Sequence, residues 1–61
     1  MKIYVTIGNR EPMVIDNARS KEAAETRIAR YMREDRYQIE TEKYKMPESW
    51  GGKYPTYTYG K

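Results

Sequence analysis

The fold turns on residues 20–35, SKEAAETRIARYMRED. Ala24, Ile28, Tyr31 and Met32 fall at i, i+4, i+7 and i+8, the spacing that gathers side chains onto one stripe of a helix. Taking about 100° per residue, Arg27, Arg30 and Arg33 spread over an arc of roughly 120° that adjoins this stripe and faces away from it. Ser20 is the expected N-cap, its hydroxyl accepting from a first-turn N–H, and Glu22 and Glu25 lie where the positive end of the helix dipole favours them. The helix is expected to end near Asp35, with Arg36 to Ile39 able to add a turn.

On the N-terminal side, Ile3, Val5 and Ile7 alternate with Lys2, Tyr4 and Thr6, which predicts a strand with the aliphatic residues turned to a core. Gly8 to Pro12 is turn chemistry, and Met13 to Asp16 (MVID) reads as a second strand paired antiparallel with the first. Either Val14 or Ile15 points inward, depending on register.

On the C-terminal side, Tyr37, Ile39 and Thr41 alternate with Arg36, Gln38, Glu40 and Glu42, which predicts a third strand. Helical continuation through IETEKYKM is the rival, because Glu and Lys favour helix and Ile39, Lys43 and Met46 keep a helix-like spacing. Pro47 stops either element. Tyr57 and Tyr59 then alternate with Thr56 and Thr58, as in a short edge strand started by Pro55 or a mobile tail. The expectation is one α+β domain in the order β-β-α-β, with a core at 1–46, a Tyr- and Trp-rich segment at 47–61, and a short fourth strand open at the C-terminus.

Composition narrows the function classes. The 61 residues contain no Cys, His, Leu or Phe, but seven Tyr. That removes an ordinary zinc site, a thiol nucleophile, a Ser-His-Asp triad and disulfide staples. Tyr rings must therefore supply much of the core or of a binding surface. No calcium-loop pattern of alternating Asp and Asn occurs, so neither a metal nor a cofactor is expected. The 12 basic against 9 acidic residues leave a net charge of +3, compatible with nucleic acid or an acidic protein surface as partner. The opening MKIYVTIGN lacks the apolar core of a signal peptide, and no run is long enough for a membrane span, so a cytoplasmic protein is expected.

Two groups of residues are candidate contacts. Arg27, Arg30 and Arg33, with Arg36 beyond them, present guanidinium forks that match phosphate oxygens, although Glu22, Glu34 and Asp35 dilute the face. Trp50, Tyr54, Tyr57 and Tyr59 are interleaved with Lys53 and Lys61, the mixture of rings and cations that single-stranded nucleic acid or a protein interface uses. The plain structural alternative is that the rings, Trp50 above all, complete a core short of aliphatics. Glu40 and Glu42, two apart, are discounted as an acid–base or metal pair because Lys43 and Lys45 neutralise the stretch.

The passage from MVID into Ser20-Lys21-Glu22-Ala23 resembles the strand-to-helix junction of the arm-site DNA-binding domains of tyrosine integrases, over a handful of residues. Those domains place three strands before the helix, where this chain has room for two. In size and charge density the chain is also similar to short accessory proteins of bacteriophages. The leading expectation is a non-enzymatic nucleic-acid-binding accessory protein. The alternative is a regulator or inhibitor docking on a larger protein through its aromatic segment or an open sheet edge. Homodimerisation through an open sheet face or edge strand is a further expectation.

Overall fold

The computed structural model describes residues 1–41 and 45–60. Strand β1 (Lys2–Thr6) and strand β2 (Met13–Asn17) form an antiparallel pair, helix α1 (Lys21–Arg36) follows, and strand β3 (Thr56–Gly60) returns to pair antiparallel with β1. The sheet order is therefore β2-β1-β3, with the most apolar strand at its centre. The β-β-α-β order expected from the sequence is present.

Ile3 and Val5 are buried and Tyr4 is half-buried, as the alternation of β1 requires. Opposite residues of an antiparallel pair share a face, so Tyr59 and Tyr57, which pair with Ile3 and Val5, join them beneath α1. The helix packs chiefly on β3 and secondarily on β1. Its Ala24 is fully buried and forms the core with Ile3 and Ala18, flanked by Ala23, Ile28, Tyr31 and Tyr59. Two of the three central residues are alanines, so the helix lies close to the sheet and the aromatic rings fill the margins.

The helix begins where its cap predicts. Ser20 is extended, and its Oγ accepts from the Ala23 N–H at 3.2 Å. Its far end corrects the strand expected from Arg36. The helix runs through Arg36, the Tyr37 N–H donates to the carbonyls of Arg33 and Glu34, and Tyr37–Thr41 continues as a wide π-helical turn. The physical reason is that the helical hydrogen bonds carry straight on into this stretch, while Thr56–Gly60 takes the side of β1 that a strand from Arg36 would have paired with. Residues 42–44 of the rival helical stretch lie outside the described residues. The last strand of the β-β-α-β order is instead Thr56–Gly60, so the C-terminal segment is part of the sheet.

A second correction concerns Met32, expected on the buried stripe but 46% exposed at the margin of α1. Neither Val14 nor Ile15 turns fully inward. A bulge between the Ile3–Asp16 and Tyr4–Val14 pairs inserts Ile15 as an extra residue and leaves both side chains exposed.

The loop after β1 is held by contact with a distant segment. Gly8 has φ +59°, and a Cβ there would fall 2.7 Å from the carbonyl oxygen of Ser49. The short 3-10 turn Glu48–Trp50 thus lies directly against the β1–β2 connection.

Candidate binding surfaces

The aromatic residues proposed as contacts have internal partners. The Tyr57 ring stacks on Tyr31 with centroids 5.4 Å apart and planes 18° from parallel, and its hydroxyl donates to Asp35 Oδ2 at 2.7 Å. Burial and that carboxylate together raise the Tyr57 hydroxyl well above its ordinary value of 10.0. Tyr59 donates to Glu25 and Tyr54 to Glu40, each at 3.3 Å. Trp50 is half-buried and tilted against Tyr54, their centroids 6.2 Å apart. Lys53 is exposed, and Lys61 lies outside the described residues.

The arginine group divides. Arg27 donates from one guanidinium nitrogen to Asp16 Oδ1 at 2.9 Å and to the Asn17 carbonyl at 3.0 Å. Asp16 also accepts from the Tyr31 hydroxyl at 2.7 Å and from the Asn17 N–H at 2.7 Å. The Tyr31 bond, then the backbone bond, hold the Asp16 carboxyl below its ordinary 3.8. Arg36 lies 5.8 Å from the Tyr54 ring centre, within reach of a cation–π contact. Arg30 and Arg33 are exposed and make no ion pair among the described residues. The structure thus brings Tyr31, Tyr57 and Arg27 into the packing of α1 on the sheet and leaves Arg30 and Arg33 outside it.

The two outer strands differ in how their edges are finished. Met1 and Ala18 bond each other through both N–H and C=O, at 2.6 and 2.8 Å, so by alternation Asn17 turns its own backbone groups outward. Both are taken by side chains: its N–H by Asp16 and its carbonyl by Arg27. At the other end Pro12 has no N–H to offer, and the bulge lies between. The edge of β2 is therefore occupied at Asn17 and interrupted at Ile15, and it offers no regular ladder for strand addition.

Yet this margin carries the most exposed run of apolar side chains in the described residues. Met13 and Val14 are each 54% exposed and Ile15 is 42% exposed. From the sequence, one of Val14 and Ile15 is expected inward, and the feature that points outward for both is the run itself, since a half-buried strand alternates and this one does not. Arg10 and Glu11 precede the run and Arg19 follows it.

The edge of β3 is finished differently. The regular β1–β3 register joins Lys2, Tyr4 and Thr6 to Gly60, Thr58 and Thr56 as the hydrogen-bonded pairs, so Tyr57 and Tyr59 turn their N–H and C=O groups away from the sheet. Beside that edge lies a groove of about 490 Å³ lined by Ile28, Ala29 and Met32 of α1 and by Tyr57, Thr58 and Tyr59 of β3. No helix among the described residues is long and apolar enough to cross a membrane. No protein-family model, curated protein or solved structure matches the chain.

Proposed function

We propose that the chain is a non-enzymatic, cytoplasmic protein-binding regulator that docks on a larger protein through the Met13-Val14-Ile15 margin of its sheet. The observation that carries this reading is where the apolar side chains are spent. The buried residues are Ile3, Val5, Ala18 and Ala24, two of them only alanines, while Met13, Val14 and Ile15 in succession stay exposed. A domain short of aliphatics gains nothing in folding from that allocation, but an interface core would use it. With its backbone occupied at Asn17 and interrupted by the bulge, β2 would be recognised by side-chain packing and not by strand addition.

Nucleic acid is the second reading, favoured by exposed Arg30 and Arg33 with exposed Tyr37 beyond them. It has less support than the protein reading because Tyr57 and Arg27, two of its expected contacts, are engaged within the fold.

A photo-crosslinking residue at Val14, in cells producing the chain, tests the two together. A discrete protein adduct that is lost with Ile15→Lys is the expected result. Absence of any such adduct, with binding to DNA or RNA fragments that weakens as salt rises and is lost with Arg30→Ala and Arg33→Ala, would transfer the function to nucleic acid.

A further inference from the structure

We propose that the chain forms a two-fold dimer through the open edge of β3 and the adjoining side of α1, giving a continuous six-stranded sheet with both helices on one face. This surface is separate from the Met13-Val14-Ile15 margin, and the occupant it fits is a second copy of the chain.

The strand geometry comes first. Among the described residues nothing bonds the outward backbone groups of Tyr57 and Tyr59 beside the groove, and a two-fold axis through Thr58 sets Tyr57 of each copy opposite Tyr59 of the other. Those two residues then satisfy one another's N–H and C=O groups as hydrogen-bonded pairs of an antiparallel ladder.

The helix spacing agrees with that pairing. Because α1 packs chiefly on β3 and secondarily on β1, its axis lies between them on the β3 side, and two copies joined at β3 place their helix axes at most two strand spacings apart. Two strand spacings are about 9.6 Å, which falls within the 8–10 Å or so of packed helices.

The side chains facing across the axis are self-complementary. Glu22, Glu25, Ala29, Met32 and Arg36 recur at intervals of three and four, with Arg33 adjoining them, so they form one lengthwise stripe of α1. Acidic residues occupy its N-terminal end, Ala29 and Met32 its middle, and arginines its C-terminal end. Two antiparallel copies bring Glu22 and Glu25 of each opposite Arg33 and Arg36 of the other. Met32, 46% exposed in the single chain, then covers the small Ala29 of its partner. Ala29 and Thr58 face the same groove, so one axis serves both the helix and the strand contact.

The helix dipole alone also favours acids early and bases late, and the experiment is chosen to separate the two explanations. Sedimentation equilibrium of the full chain at micromolar concentrations is expected to return twice the mass of one chain. Backbone N-methylation of Tyr59 in synthetic protein removes a donor that β1 does not use and keeps the ring, and it should abolish the dimer with the circular dichroism of the helix retained. Glu25→Arg sets like charges against the partner's arginines and should weaken the dimer about tenfold or more. Adding Arg33→Glu should restore it, whereas a dipole effect predicts that the double variant is worse than either single one. A chain that stays monomeric, a dimer indifferent to N-methylation or to Glu25→Arg, or a double variant without rescue overturns the proposal. Val14→Lys leaves this dimer intact while removing the docking margin, so the two surfaces fail independently.

Discussion

Among the described residues four tyrosines close their hydroxyls on carboxylates: Tyr31 on Asp16, Tyr54 on Glu40, Tyr57 on Asp35 and Tyr59 on Glu25. The chain lacks Leu and Phe, so rings must fill the space around Ala24, and a ring with a hydroxyl needs an acceptor where it leaves the core. Tyr57→Phe keeps the stack on Tyr31 but strips Asp35 of its donor, and should lower the unfolding free energy by about 1 kcal/mol in urea melts with an unchanged slope. The pH dependence follows from the directions of the shifts. The Tyr57 hydroxyl is raised in the folded state, so its contribution is complete below pH 10.0 and is lost as the pH climbs through its folded value. Asp16 is depressed, so its contribution is complete above 3.8 and is lost as the pH falls through its folded value. Tyrosinate absorbance followed beside circular dichroism should show ionisation and unfolding together at alkaline pH, and Asp16→Asn should flatten the acid limb.

The elements differ in how much of them the sequence made legible. β1, β2 and α1 stand close to their expected bounds because each carries its own local signal: alternation in β1, turn residues before β2, and Ser20 as a cap that bonds as its position demands. Ser20→Ala should cost about 1 kcal/mol and fray the first turn, measurable by thermal melts. Residues 36–41 satisfy a strand pattern by their alternation, but the decision lay elsewhere, in Thr56–Gly60 taking the second side of β1. Pairing over so long a sequence separation leaves no local mark. The same holds for Gly8, which reads as a turn glycine but is also required by the Ser49 carbonyl packed against it. Gly8→Ala should destabilise by roughly 1–3 kcal/mol, since it combines a positive φ with a backbone clash.

For the molecule as a whole, the residue types of a binding surface were visible in the sequence, but their availability was not. Tyr57 reads equally as a stacking platform or a core ring and packs on Tyr31; one of Val14 and Ile15 is expected inward, and both are exposed. Exposure depends on the bulge at Ile15 and on where α1 settles, and neither is written in composition or periodicity. Ile15→Lys should change stability by no more than about 0.5 kcal/mol, as a surface substitution does, while abolishing crosslinking from position 14 to a partner. Stability retained together with binding lost is the signature of an interface residue.

The unequal finish of the two sheet edges governs how far such a molecule can grow. A filament built by strand addition needs every unit to be bifunctional, open on both sides. Here Pro12, the bulge and the Asp16–Arg27 clasp on Asn17 cap one side, so the unit is monofunctional in the polymer chemist's sense. A monofunctional unit can meet one other and then stops. Removing all three, with Pro12→Ala, deletion of Ile15, and Asp16→Ala with Arg27→Ala, would supply the second function, and the expected product at high concentration is a ribbon of sheets, visible by electron microscopy, where the parent chain gives none.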